Sequence, residues 1–84
     1  MKTYLEDYLT KKYGAHETSR ITGISMRQLN YWVLIGVVSP KTERHGIKYF
    51  RRYTEEDLDT LKKIKMLTDD GYPISRAIEK LKKG

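Results

Sequence analysis

The stretch Ile21-Thr22-Gly23-Ile24-Ser25-Met26-Arg27-Gln28-Leu29-Asn30-Tyr31-Trp32 decides how the whole chain is read. Thr22-Gly23 closes a short helix over residues 15–22, because glycine takes the left-handed conformation of a helix end without a Cβ clash. Ser25 is the next N-cap, its hydroxyl able to accept from a backbone N–H of the first turn. A second helix runs through Ile35, with Gly36 placed to stop it and Pro40 soon after. Two short helices joined by a few residues that include a glycine outline a helix-turn-helix. Ile24, Leu29 and Trp32 are its core candidates, the indole having a large area to bury. Arg27 and Gln28 stand in the first turn of the second helix, and Asn30 lies one turn beyond Arg27.

Downstream, Val37 and Val38 begin an extended segment, and residues 41–53 read as a hairpin with His45-Gly46 as its turn. Ile47, Tyr49, Arg51 and Tyr53 alternate there with Lys48, Phe50 and Arg52, so neither face is purely apolar and the hairpin should project from the core. Thr54-Glu55-Glu56-Asp57 is a helix start, with a capping hydroxyl and acids in the first turn. That helix runs to about Asp70, and Gly71 ends it. Leu58, Leu61, Ile64 and Leu67 recur every third residue, so the apolar stripe winds around the helix and should meet more than one neighbour. Pro73 opens a last short helix with Ile74, Ala77, Ile78 and Leu81 inward. Upstream, residues 3–13 read as a helix capped by Thr3 and ended by Gly14, with Tyr4, Leu5, Tyr8 and Leu9 on one face and Tyr13 near its edge. The chain thus divides into an accessory helical segment, residues 1–14, and a domain over residues 15–84. The fold class is mainly α with a small β-hairpin, a winged helix-turn-helix.

Composition agrees with one small domain. The 84 residues are 38% hydrophobic and 33% charged, a globular balance. The longest apolar run, Trp32 to Val38, is far short of the roughly 20 residues that span a bilayer. Glu6 and Asp7 near the N-terminus are unlike a signal peptide. A cytoplasmic protein is expected, with no membrane partner. Cysteine is absent, which excludes disulfides, thiolate metal sites and cysteine nucleophiles. His16 and His45 cannot make a metal site alone, and no Asp/Glu/His cluster sits at ligand spacing near either, so no metal or cofactor is expected. His16 should cap the first helix of the pair or face solvent. No catalytic constellation is present, and an enzyme is not expected. The net charge is +6, and it is unevenly spread. Residues 16–53 hold seven basic residues against Glu17 and Glu43, whereas residues 54–70 hold three lysines against six acids. A basic middle beside an acidic segment suits an anionic polymer bound by one face.

Three motifs in order carry a family resemblance. Ile21 to Trp32, continuing through Ile35-Gly36-Val37-Val38-Ser39-Pro40, resembles the helix-turn-helix of MerR-type bacterial transcription regulators. Arg51-Arg52-Tyr53-Thr54-Glu55-Glu56-Asp57-Leu58 resembles the exit from their wing. Leu67 to Leu81, through Gly71-Tyr72-Pro73-Ile74, is similar to their paired helices after the wing. The resemblance covers residues 13–82. It implies double-stranded DNA as the partner, with the second helix in the major groove and the wing on flanking backbone or minor groove. Family members pair two such domains on an inverted repeat and alter promoter geometry in response to an effector. This sequence departs from the family pattern in three ways. Val33 and Leu34 are apolar where polar residues are usual. The hairpin between Gly46 and Tyr53 is two or three residues longer than usual. The long helix through which members dimerise should begin after about residue 82, where the sequence stops. Beside these three, there is an N-terminal helix that most members lack; it and the apolar pair explain each other if the helix packs on Val33 and Leu34, which would otherwise form an exposed apolar patch.

On this reading Arg27, Gln28 and Asn30 are the base-reading candidates, since arginine pairs with guanine and glutamine or asparagine with adenine. Asn30 can alternatively hold a phosphate. Tyr31 packs in the core or donates its hydroxyl to phosphate, the use the resemblance implies. Arg44, His45, Lys48, Arg51 and Arg52 form the wing set. Alternation places Lys48 and Arg52 on one side and Arg51 on the other, so Arg44 at the tip and Arg51 or Arg52 at the base are the favoured phosphate contacts. Arg20 and Lys41 are further backbone candidates. The dimerisation helix of the family should begin after about residue 82. With Lys80, Lys82 and Lys83 crowding the end, the 84-residue chain is expected to be a monomer that can pair on DNA, or a dimer where the native chain continues. Two other functions fit the same fold: a stand-alone DNA-bending factor, such as a recombination directionality factor, and a protein-binding module. Clustered sites at a recombination end would mark the first. An absence of DNA affinity at low salt would mark the second.

Overall fold

A computed structural model describes residues 11–83. In chain order its elements are β1 (Lys12–Tyr13), α1 (Ala15–Thr22), α2 (Met26–Leu34), β2 (Lys41–His45), β3 (Lys48–Thr54), α3 (Glu55–Asp69) and α4 (Ile74–Lys83). The strands form one antiparallel sheet in the order β1-β3-β2. This is a winged helix-turn-helix: α1 and α2 are the helix pair, and β2 and β3 the wing.

The turn between α1 and α2 is fixed by short side chains bonding backbone. Gly23 takes φ +76° and donates to the carbonyl of Ser19. The Ser19 hydroxyl reaches across the turn to the Ile24 carbonyl at 2.5 Å, and Thr22 Oγ1 donates to the Thr18 carbonyl at 2.7 Å. Ser25 then caps α2 by accepting from the Gln28 backbone N–H at 3.1 Å. The Gly23 and Ser25 bonds satisfy groups that the helix ends leave orphaned, and the Ser19 and Thr22 hydroxyls tie the turn to the end of α1. Thr54 caps α3 in a full capping box, its hydroxyl accepting from the Asp57 N–H while the Asp57 carboxylate accepts from the Thr54 N–H.

The core draws on Tyr13 from β1, Ile24 from the turn, Leu29 and Trp32 from α2, Val38, Tyr53 from β3, Leu58, Leu61 and Ile64 from α3, and Ala77 from α4, with Ala15 of α1 packed against it and β2 exposed throughout. The winding stripe of α3 meets three partners, α4, α1 and β3, as its every-third-residue spacing requires. Leu67, Ile74, Ile78 and Leu81 pack on the margin of the core.

Four sequence expectations change. Lys12 and Tyr13 are not the end of a helix. They pair with Thr54 and Tyr53 of β3, because Tyr13 buries its ring in the core while its hydroxyl donates to Glu55 across the sheet. Gly14 accordingly starts α1 instead of ending a helix, holding an extended conformation whose carbonyl accepts from the Thr18 N–H. The hairpin turn is Gly46-Ile47, with His45 paired to Lys48. Gly46 has φ +65° and Ile47 does not have a positive φ, the signature of a type II′ loop, whose first position favours glycine. Val33 is not part of an exposed patch; it is half-buried and packs on the core beside Leu29 and Trp32, whereas Leu34 is 82% exposed. The remainder of the expected accessory helix, and with it the proposed cover of Leu34, lies outside the described residues.

Candidate nucleic-acid interface

Helix α2 presents two contrasting faces. Leu29 and Trp32 are buried, and Met26 and Val33 pack against the same core. Arg27, Asn30, Tyr31 and Leu34 are spaced i, i+3, i+4, i+7, so they share the opposite face, and all are exposed. Gln28 is exposed at the edge of that face. Tyr31 is 51% exposed, which removes the core alternative for its ring. The first turn of α2 contains no acid, so the arginine and the glutamine stand at a helix N-terminus whose partial positive charge nothing offsets.

The wing resolves into two faces as well. Residues directly opposed in an antiparallel pair lie on the same side. Thr42 faces Arg51 and Arg44 faces Tyr49, which puts these four on the side of buried Tyr53. Lys41 faces Arg52, Glu43 faces Phe50 and His45 faces Lys48 on the other side. Arg51 links wing to helix: its Nη1 donates to Asn30 Oδ1 at 2.7 Å, across a separation of 21 residues. The Tyr53 phenol is pushed above its ordinary range by burial, an effect partly opposed by the adjacent Arg51 guanidinium. Arg44 is folded onto its own strand pair, with Nε donating to the Gly46 carbonyl at 2.7 Å and its guanidinium 5.9 Å from the centre of the Tyr49 ring.

On the other side Glu43 is a lone acid among cations. His45 Nε2 lies 2.8 Å and Arg52 Nε 3.5 Å from its carboxylate. Its carboxyl is held below the ordinary value chiefly by the His45 hydrogen bond, aided by the charges of Arg52, His45 and Lys12. The edge of the His45 ring also meets Phe50, at 5.5 Å between centres. Lys48 and Lys41 are exposed at the two ends of the wing, and Arg20 is exposed in the last turn of α1. His16 is exposed in the first turn of α1, which has no side-chain cap.

The structure therefore brings Arg27, Gln28, Asn30, Tyr31, Arg44 and Arg51 to one side. It sets Lys41, Lys48 and Arg52 on the far side of the wing. Lys12 is the cation that the sequence reading missed. In β1 it lines a shallow depression with Ser39, Lys41, Arg52, Thr54 and Asp57. Its only sequence signal is a position two residues before a glycine, which does not reveal a strand paired some 40 residues away. Among the described residues no helix is long and apolar enough to cross a membrane. No group of three or more His, Cys, Asp or Glu is placed among them to hold a metal ion.

A helix pair, an exposed polar face on its second helix and a basic wing docked beside it make the arrangement of a winged helix-turn-helix regulatory domain. The sequence profile of the MerR HTH family regulatory proteins matches residues 13–83, and the chain belongs to that family. It is 31% identical over 72 residues to the HTH-type transcriptional repressor CarH of Myxococcus xanthus, an alignment covering 84% of this chain and 23% of the repressor. Its fold is similar to the crystal structure of a MerR-family transcriptional regulator from Bacillus cereus, with a TM-score of 0.74 at 21% identity over 84% of this chain and 52% of that one. The chain thus spans about a quarter of the first relative and about half of the second.

Proposed function

We propose that this domain binds double-stranded DNA sequence-specifically as the DNA-reading part of a bacterial, cytoplasmic transcription regulator. Helix α2 lies in the major groove. Arg27 and Gln28 read base edges from its first turn, and Asn30 stands one turn on. Tyr31 donates its hydroxyl to a phosphate, and Arg44 and Arg51 hold the flanking backbone. Lys48, beside the wing turn, holds the backbone there, and Lys41, Arg52 and Arg20 add longer-range attraction from the margins. The observation that carries this reading is the Arg51–Asn30 bond. It joins one side of the wing to the polar face of α2, and that side bears Arg27, Arg44 and Arg51, while the wing's acid, Glu43, lies on the opposite side. Asn30 enters the reading in altered form, because its carboxamide oxygen already accepts from Arg51. Bidentate adenine recognition uses both ends of the amide. The Asn30 NH2 group remains to donate outward, which suits a phosphate oxygen or a base acceptor. Arg51 has five N–H donors and can serve Asn30 and a phosphate together.

The test is to select duplexes from a random pool with this chain and measure affinity for the recovered sequence and for a scrambled one. Tighter binding to the recovered sequence is the expected result. Equal affinity for both would refute base reading. No binding to either at low salt would refute the DNA-binding reading itself.

A further inference from the structure

Ile47 is the second residue of the wing turn and is 90% exposed, more than any other large apolar side chain among the described residues. Single exposed apolar residues are ordinary on a protein surface, but three features set this one apart. Two-residue turns favour Gly, Asn, Asp and Ser, so a β-branched aliphatic there gains nothing locally. The Arg44 side chain bonds the Gly46 carbonyl, which holds that cation beside the turn. And Tyr49, two residues along the strand and 65% exposed, extends the apolar surface on the side facing α2, with the Arg44 guanidinium over its ring. An apolar tip thus stands between two cations, Arg44 and Lys48, at the end of a basic hairpin.

We propose that the wing tip is a minor-groove wedge: Ile47 enters the minor groove beside the α2 site and pries a base step apart while Arg44 and Lys48 grip the phosphates on either side. This rests on the DNA-binding reading above and deepens it. The flanking cations make the occupant anionic, and the apolar tip requires that the occupant also offer an apolar surface. An unstacked base step inside a phosphate-lined groove supplies both. Proteins that use Ile, Leu, Phe or Met in this way kink the duplex by roughly 20–90°. Flexible pyrimidine–purine steps are the easiest to open, so the site should place a TA or CA step under the tip, outside the sequence that α2 reads.

The experiment uses the full 84-residue chain and a duplex of about three helical turns that it has recovered from a random pool, with energy-transfer dyes at both ends. Binding is followed first, by anisotropy, and bending second, by energy transfer at saturation. The unmodified chain should bring the ends together. Ile47→Ala and Ile47→Ser should lose most of that change, with an unchanged salt dependence of binding, since the phosphate contacts remain. Ile47→Phe should keep the bend. A bend of normal size with Ile47→Ala, or a straight duplex saturated by the unmodified chain, would overturn the wedge and leave DNA binding intact. Failure of the unmodified chain to bind would instead overturn the reading beneath it, and the anisotropy step shows this before any bend is measured.

Discussion

Asn30 shows how far a single residue's role depends on its surroundings. In sequence it is a polar residue one turn beyond Arg27. In the fold it is the acceptor of a bond from Arg51, and neither residue points to the other along the chain. The two should therefore act as a unit on DNA. Asn30→Ala and Arg51→Ala should each weaken binding, and the double variant should lose less than the sum of the two, with a coupling of about 0.5–3 kcal/mol. Additive losses in titrations of the three variants would mean that they contact DNA independently. Arg27 has no such partner among the described hydrogen bonds, so Arg27→Ala should cost about 1–3 kcal/mol on the selected site and little on scrambled DNA. Glu43 is the one acid of the wing. Its lowered carboxyl means that its contribution is complete above the ordinary carboxylate range and lost as pH falls through the lowered value. Proton resonances of His45 should report that loss in acid. Glu43→Gln should abolish it and, by removing a negative charge from the wing, tighten binding to all sequences alike.

The helices were legible because their signals are local. Ser25, Thr54 and Asp57 form their caps within three residues of themselves, and Gly23, Gly36 and Gly71 take the positive φ that their positions at helix ends suggested. The capping box of α3 should be worth about 0.5–2 kcal/mol, read as a lowered melting temperature in Thr54→Ala. Strand β1 was illegible. Two residues cannot show alternation, and the helix-like pattern before them gave Tyr13 a wrong setting. Its burial at 7% exposure predicts that Tyr13→Ala costs about 3–5 kcal/mol, as for other large aromatic truncations. A melting temperature close to that of the unmodified chain would show that β1 is dispensable. The turn slipped by one residue for a related reason: His45-Gly46 and Gly46-Ile47 both contain the needed glycine, and only the pairing of His45 with Lys48 chooses between them.

At the scale of the molecule the charge asymmetry becomes spatial. The basic segment 16–53 makes up the helix pair and most of the wing, while the acids of residues 54–70 fall on α3 and its C-cap, Asp70. One side should then meet DNA and the other should not. If the domain neutralises roughly four phosphates, log affinity should fall against log salt with a slope of about −3.6. A slope near zero in titrations at several salt concentrations would contradict an interface built on phosphate contacts.

The sequence by itself determined the order of elements from α1 onward, the caps, the inward residues and the family, because each of these is written within a turn or two of chain. The tertiary structure alone decided three things: that Tyr13 joins a sheet, that Val33 belongs to the core while Leu34 stands out beside Asn30 and Tyr31, and that Arg51 bonds Asn30. Each of these depends on which distant segment comes to lie alongside, and that is set by the packing of the whole core around Trp32, Tyr53 and Leu61, not by any local pattern.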